Sequence, residues 1–477
     1  MLFNSFEFVL FFAGFLAVFF GAPKRAQPLI LLVASYVFYM GFRPSFAILL
    51  ALTTIVDYLT ALWMARAATA SERRVAMLTA LTINLGILAT VKYLDFLIAN
   101  VVGAVGLFGI SLPSVTLDLV LPLGISFYTF QSVGYTLDVY HRRVEAEHNF
   151  LTYAQYVSFL PQLIAGPIER AAHMLPQFRR SHSLAFDNVT AGLWLIGYGL
   201  FKKMCIADTI APVVTAVYAN PENFSGTYAL LASLLFAIQI YCDFSGYSDI
   251  ARGTARMMGV DLMVNFRQPY FATSLADFWH RWHISLSSWF RDYLYVPLGG
   301  SRGGEMRTVR NLLIVFTVSG FWHGAAWTFI AWGVLHGVCL VVERAFVRAV
   351  QPQSWLPSPV VVLLGWLWAM SVVLLGWILF RATSLPNAAA ILGSFGHLGG
   401  LSYGTFKVLG LGSFELMILC VSLLLLFVVD YLIAHRSQFL VQLARLPGLT
   451  IPAGVGLVYY VLLFGVFGRM EFIYFQF

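Results

Sequence analysis

A histidine inside a long apolar segment is the residue of this sequence with the clearest chemical potential. His323 lies in the run GFWHGAAWTF, within the apolar residues 311–342. Ionisable side chains deep in a membrane are costly and mark functional sites by default. The unperturbed pKa of histidine, about 6.5, suits proton exchange at neutral pH, and an apolar setting favours the neutral form that a general base needs. The sequence predicts a general base at His323, although a histidine that only hydrogen-bonds a neighbouring helix fits the same pattern.

Two further histidines occur in the run FWHRWHIS. His280 and His283 have helical spacing, which predicts that they share one face of a helix. Together with Asp277 they offer part of a zinc site, but such a site requires another ligand. We therefore predict no metal, and His280 is assigned a structural or interfacial role.

Two carboxylates follow an apolar run. Asp243 and Asp249 lie in YCDFSGYSD, at the end of residues 227–241. A helix cap or a partner for an arginine is the simpler interpretation. A proton relay from Asp243 to His323 in a transporter or lipid flippase is an alternative of another class, but such proteins often contain internal repeats, and none is evident.

The composition requires that these residues be positioned by membrane helices. Hydrophobic residues make up 60% of the 477 residues and charged residues only 11%, against about 25% charged residues in soluble domains. Mean hydropathy is +0.80. Apolar runs that qualify as spans occupy residues 6–20, 46–64, 76–91, 189–200, 227–241, 360–380, 414–432 and 451–467. We predict an all-α, polytopic membrane protein that forms a single domain over residues 1–477, with roughly ten to twelve spans of about 20 residues.

Basic residues are concentrated in short loops between these runs. Lys24 and Arg25 follow the first run, and Arg66, Arg73 and Arg74 follow the third. The positive-inside rule places such loops in the cytoplasm. The N-terminus is therefore predicted to lie outside the cytoplasm, and nucleic acid is excluded as a partner. The four cysteines are scattered and form no CxxC pair, which predicts neither a disulfide framework nor a cysteine metal site.

Three stretches are unlike simple spans. Residues 156–166 are too short to cross and are predicted to be re-entrant or in-plane. Residues 261–310 alternate aromatic residues with arginines, which is typical of a helix lying in the membrane interface. Residues 311–342 would measure about 48 Å as one straight helix against a hydrocarbon core of about 30 Å. That helix is therefore predicted to break, tilt or turn back, with glycines at 320, 324, 333 and 337 as places to do so.

The chain resembles the membrane-bound O-acyltransferases (MBOAT), in particular the bacterial branch of alginate O-acetylation membrane proteins. The resemblance runs from end to end. It is carried by MLFNSFEFVLFF, LPLGISFYTFQSVGYTLDVY, FLPQLIAGPIER, FKKMCIADTIA, QIYCDFSGYSDIARG, DFWHRWHISLSSWFRDYLYVPLGGSR, SGFWHGAAWTFIAWGVLHG and the terminal FIYFQF.

The resemblance implies a catalytic site. His323 matches the essential histidine of the family, and His283 matches the second histidine of the bacterial branch. His280 stands where that branch usually has arginine, and Cys242 where it usually has an aromatic residue. The proposed substrate-binding residues are Arg291, Arg302, Trp322 and Asp243.

The resemblance also implies an activity. The expected donor is acetyl-CoA, with no permanently bound cofactor, and the expected acceptor is an extracytoplasmic polysaccharide such as alginate, cellulose or peptidoglycan. An exported partner with a serine-hydrolase-like domain is expected to complete the transfer, and the expected location is the bacterial inner membrane, in contact with lipid. Transfer of D-alanine from a carrier protein to teichoic acid is the alternative within the family.

Overall fold

The computed structural model describes residues 1–113, 116–117, 119–350, 357–436, 446–468 and 472–473. Throughout these residues the regular structure is helical, without a strand. The all-α prediction is therefore confirmed. Most of the C-terminal run FIYFQF, from residue 474 onward, lies outside the described residues.

The described residues fall into two compact units. The first contains residues 1–193 and 251–263, and the second contains residues 194–250 and 264–477. The expectation of a single domain stays a prediction.

The first unit is built mainly from eight α-helices. They are α1 (Phe6–Gly21), α2 (Gln27–Met40), α3 (Phe46–Arg66), α4 (Ala70–Leu88), α5 (Leu94–Gly106), α6 (Ile125–Tyr140), α7 (Phe150–Ser158) and α8 (Ala171–Phe178). A short π-helix, Ala89–Tyr93, joins α4 to α5. Residues 156–166 form the end of α7 and a series of buried turns. Side chains of Ser5 and Thr69 cap the starts of α1 and α4, which explains where these helices begin.

Two long helices contribute residues to both units. They are α9 (Phe186–Leu200) and α11 (Gly226–Met257). The apolar run 227–241 is therefore only the first half of its helix. Asp243 and Asp249 lie inside α11 rather than at its end, so the prediction that they cap a helix is wrong.

The second unit contains the remaining helices. They are α10 (Asp208–Ala219), α12 (Leu275–Arg281), α13 (Ile284–Phe290), α14 (Glu305–His323), α15 (Trp327–Val350), α16 (Ser358–Arg381), α17 (Leu385–Ser394), α18 (Tyr403–Val408), α19 (Ser413–His435) and α20 (Pro447–Phe464). π-helices at Phe201–Ala207 and Arg291–Tyr295 precede α10 and follow α13.

Six stretches of described helix are long and apolar enough to cross a membrane. They are Phe46–Arg66, Ala70–Gly106, Gly226–Met257, Trp327–Val350, Ser358–Arg381 and Ser413–His435. Three shorter apolar helices, Phe6–Gly21, Gln27–Met40 and Gly448–Phe464, accompany them. The protein is therefore a multi-pass membrane protein, whereas the total of ten to twelve spans stays a prediction.

The predicted break in residues 311–342 occurs at Gly324. Helix α14 begins at Glu305, six residues before the expected start near Asn311, and ends at His323. Helix α15 starts at Trp327. Gly320 and Gly333 lie where the two helices cross, with their Cα atoms close enough that a Cβ on either glycine would lie 3.2 Å from the other Cα. This close crossing fixes the end of α14, and with it the backbone of His323.

The segment 261–310 is not one interfacial helix. It is divided into α12, α13 and the π-helix Arg291–Tyr295, preceded by a short 3₁₀ turn, Pro269–Phe271. Helix α12 ends at Arg281, and His283 takes the left-handed backbone conformation with φ 45°. His280 and His283 therefore do not share a helix face, which corrects the spacing argument.

Candidate active site

His323 lies at the C-terminal end of α14, surrounded by aromatic rings. Its side chain is buried, with only 5% of the residue exposed. The ring of Trp332 on α15 lies 5.0 Å away, edge to face, and that of Phe380 on α16 lies 5.3 Å away. Because both neighbours are large and buried, they hold the imidazole in one position and keep bulk water from its faces.

His283 is held by an amide side chain. Its Nδ1 lies 3.3 Å from Oδ1 of Asn265. The same Oδ1 accepts hydrogen bonds from the backbone N–H of Ser285 at 3.1 Å and from the Ser285 hydroxyl at 3.0 Å. A backbone N–H can only donate, so this atom is the amide oxygen. The proton of a neutral His283 ring is therefore on Nδ1, and Nε2 carries the basic lone pair.

Burial determines the charge state of His283. The residue is 1% exposed. Burial lowers the pKa of His283 to about 3, so the ring is neutral at physiological pH. A non-glycine residue in the left-handed region is strained, and such strain is concentrated at functional sites. Its backbone conformation turns the chain sharply between α12 and α13 and brings Asn265 and His283 together.

Trp322 contacts both histidines. Its ring lies 6.3 Å from that of His283 and 5.0 Å from that of His323. Phe244 of α11 packs edge to face on His283 at 4.6 Å. The two predicted catalytic histidines and the predicted Trp322 are therefore brought into one buried, largely aromatic cluster.

An open cavity of about 290 Å³ reaches the helix that carries His323. Ser319, one helical turn before His323, lines it together with Val315. His280 and Arg291 are polar residues of its lining. Arg291 is exposed, and its Nε lies 2.8 Å from Asp292. Arg302 lies in an exposed turn and is absent from the residues lining this cavity.

The predicted Asp243 belongs to a buried ion network. Lys203 places its Nζ 2.8 Å from both Asp243 and Asp208. The other oxygen of Asp243 accepts the backbone N–H of Ile473 at 2.7 Å. Nearby, Lys202 pairs with Asp249 at 2.6 Å. Buried lysines therefore pair with both aspartates.

Three features of this site escaped the sequence analysis. A single amide in MVNFRQ has no distinctive spacing, so the sequence pattern does not predict a role for Asn265. Lys202 and Lys203 could have been found by the argument that selected His323, because charged side chains inside an apolar segment are costly. The contact of the buried Phe472 with Phe244, with ring centroids 5.6 Å apart, depends on distant parts of the chain.

The fold is that of a multi-pass membrane protein. Its candidate site consists of two buried histidines enclosed by aromatic rings. A model of the membrane-bound O-acyltransferase family matches residues 142–382. This match includes both histidines, Asn265 and the helices that carry them. The chain belongs to this family and is an O-acyltransferase.

Individual relatives extend the similarity beyond that region. The chain is 38% identical to the "Probable alginate O-acetylase AlgI" of Azotobacter vinelandii over 450 residues, covering 93% of this chain and 86% of the relative. It is 36% identical to the "Peptidoglycan O-acetyltransferase" of Helicobacter pylori, covering 84% and 81%. Similarity to the "Teichoic acid D-alanyltransferase" of Streptococcus thermophilus is lower, 28% identity over 47% of this chain and 57% of the relative.

Proposed function

We propose that this enzyme takes an acetyl group from acetyl-CoA at the cytoplasmic face of a bacterial inner membrane and passes it on for O-acetylation of an extracytoplasmic polysaccharide. The similarity to relatives named for alginate and peptidoglycan O-acetylation supports an acetyl donor and a glycan acceptor. Alginate is the acceptor that we favour, because several relatives with that name cover most of this chain.

The pair of buried imidazoles bridged by Trp322 is the observation that carries the proposal. His323 acts as the general base. It takes the proton of the acceptor hydroxyl as the oxygen attacks the thioester carbonyl, so that a C–O bond forms and the C–S bond breaks. The CoA thiolate leaves and receives the proton from the imidazolium, which restores the neutral ring. Aromatic walls exclude water and so suppress hydrolysis of the donor.

His283 has a positioning role in this proposal. With its Nδ1 proton directed to Asn265, its Nε2 accepts a hydrogen bond rather than donating one. An acceptor is suited to orienting an N–H or O–H of a substrate. Stabilising negative charge on the thioester carbonyl would instead require a proton on Nε2.

The cavity beside Ser319 is the proposed route for the donor. Its lining by Ser319 and Val315 would bring a thioester within one helical turn of His323. Arg291 at the same cavity and Arg302 in the following turn are proposed to meet CoA phosphates, and Trp322 to contact the acyl group. Asp243 is proposed to act indirectly, through Lys203 and the backbone of Ile473.

A second protein is proposed to complete the reaction. An exported partner with a serine-hydrolase-like domain would receive the acetyl group and transfer it to the polymer. No cofactor is expected to remain bound between turnovers.

The test compares purified wild-type protein with His323→Ala, using His397→Ala as the matched control at an exposed histidine outside this cavity. With labelled acetyl-CoA, the exported partner and alginate oligosaccharide all present, His323→Ala should keep its thermal unfolding transition but lose CoA release and label transfer. Retained transfer by His323→Ala would refute the proposed base. Turnover with D-alanyl carrier protein but not with acetyl-CoA would instead identify the alternative donor.

A further inference from the structure

A basic cavity in the first unit has no part in the acyl-transfer chemistry described above. It has a volume of about 250 Å³ and lies between the end of α1, the start of α2 and the segment after α8. Lys24, Arg25, Arg179 and Arg180 line it, and no acidic side chain is among its described lining residues. Arg179 is neutralised by Glu147 at 2.7 Å. Lys24, Arg25 and Arg180 have no carboxylate partner in the part of the chain that the structure describes.

Buried amide side chains build this cavity. Gln27 is 4% exposed, and its Nε2 donates to the carbonyl oxygens of Phe19 at 3.2 Å and His182 at 3.1 Å. Its Oε1 accepts the backbone N–H of His182 at 3.2 Å. One side chain therefore joins α1, α2 and the segment after α8, which fixes the basic residues around a common space.

An acceptor without a partner lines the same space. Gln155 is 2% exposed and donates from Nε2 to the carbonyl oxygen of Pro28 at 2.8 Å. Its Oε1 has no hydrogen-bond partner among the described residues. A buried acceptor of this kind is costly to the fold unless a donor is present. The cavity thus offers positive charge for an anion and a buried acceptor for a hydroxyl or amine of the same ligand.

The surroundings favour a lipid over a soluble ion. Phe19, Leu31 and Phe178 contribute apolar surface to the cavity. The helices that frame it, α1 and α2, expose Val18 and Leu29, which are 59% and 56% accessible. Such faces contact acyl chains in a membrane, while loops rich in lysine and arginine lie at the cytoplasmic headgroups.

We propose that this cavity binds the headgroup of an anionic glycerophospholipid of the cytoplasmic leaflet. The phosphodiester lies among Lys24, Arg25 and Arg180, and a headgroup hydroxyl donates to Oε1 of Gln155. The acyl chains lie along α1 and α2. Phosphatidylglycerol combines the charge and the hydroxyl that this arrangement requires.

The experiment measures lipid binding to the full-length protein by native mass spectrometry from detergent, with titrated lipid. The probes are phosphatidylglycerol, phosphatidylcholine, phosphatidylmethanol and inorganic phosphate. Arg25→Gln/Arg180→Gln should weaken phosphatidylglycerol binding by roughly tenfold or more, since each basic residue near anionic lipid contributes about 1 kcal/mol. The matched control Arg66→Gln/Arg74→Gln removes two exposed arginines of the same unit outside the cavity, and should bind as the wild type does.

The probes separate the possible ligands. Phosphatidylmethanol has the charge without the hydroxyl and should bind more weakly than phosphatidylglycerol. Equal weakening by both double variants would overturn the site, because the effect would then come from general surface charge. If phosphatidylcholine bound as tightly as phosphatidylglycerol, the proposal of an anionic phospholipid would be overturned. Displacement of phosphatidylglycerol by millimolar inorganic phosphate would also overturn it.

Discussion

Asn265 holds His283 and the start of α13 through one amide oxygen. Replacing it with alanine would leave the Ser285 N–H without its acceptor and release the His283 ring from its fixed orientation. Each buried polar group left unsatisfied costs about 1–3 kcal/mol. We expect Asn265→Ala to lower kcat by about tenfold or more, with a smaller change in KM for the donor, in steady-state assays of CoA release.

A matched control separates positioning from stability. Asn84 is also a buried asparagine, and its Nδ2 lies 2.6 Å from Asp57 in the first unit. Asn84→Ala should lower the unfolding temperature while kcat per folded molecule is retained. Equal losses of kcat in both variants would argue against a specific role for Asn265.

His283 also links stability to pH. Its pKa is lowered to about 3 in the folded protein, whereas in the unfolded chain it is about 6.5. The unfolded chain therefore binds a proton that the folded protein excludes, and stability is lost as pH falls from about 6.5 toward 3. The unfolding temperature, followed by tryptophan fluorescence, should fall less steeply over this range in His283→Asn than in the wild type.

The exposed His280 supplies the comparison for that measurement. His280→Asn should show the pH dependence of the wild type. The reference pKa of histidine sets the range of interest, from about pH 6.5 down to about 4. If His283→Asn and the wild type lose stability in parallel over this range, the buried neutral ring of His283 is not the source of the acid sensitivity.

The sequence was enough to predict that His323 belongs to the site, but not which side chains hold His283, Asp243 and Asp249 in place. The apolar setting of His323 was enough to select it, since residue type and surrounding composition are both local. Asn265 precedes His283 by 18 residues, and backbone hydrogen bonds from Arg267 to Arg281 and from Ile284 to Asn265 hold the two segments together. The lysine partners of Asp243 and Asp249 are likewise contributed by a segment that precedes α11.

At the scale of elements, the crossing of α14 and α15 determines where His323 lies. A Cβ added to Gly320 would lie 2.2 Å from the carbonyl oxygen of Phe329. The helices would have to separate, and overpacking of this kind costs about 1–3 kcal/mol. Gly320→Ala should therefore lower both the unfolding temperature and kcat, because His323 follows within the same helical turn.

Gly14→Ala, in α1, is the control for Gly320→Ala. A Cβ at Gly14 meets no other atom within 4 Å, so the substitution should leave both quantities unchanged. Wild-type kcat in Gly320→Ala would show that the chemistry does not depend on the close crossing.

The boundary between two helices could be predicted from the sequence where an apolar segment is longer than one membrane span. Residues 311–342 are too long for one span, so a break was required, and several glycines were available. The choice of Gly324 depends on α15 packing back against α14, which local sequence does not encode. In residues 261–310, alternating aromatic and basic residues indicated the interface but concealed the turn at His283 that divides the segment.

At the scale of the whole molecule, the basic segments of the first unit lie at one end of its helices. Arg73, at the start of α4, donates from Nε to the carbonyl oxygen of Tyr140, at the end of α6, at 3.0 Å. Lys24 and Arg25 lie around the basic cavity together with Arg179 and Arg180. This arrangement supports a common cytoplasmic side for the loop between α1 and α2 and the loop between α3 and α4.

Cysteine accessibility tests that orientation. In a background without Cys339 and Cys420, the partly or fully exposed native cysteines, Ser45→Cys between α2 and α3 should react with a membrane-impermeant maleimide in intact spheroplasts. Ala68→Cys, between α3 and α4, should react only after permeabilisation. Both positions are exposed, so a difference in labelling reports the side of the membrane. The opposite pattern would invert the orientation predicted for these loops.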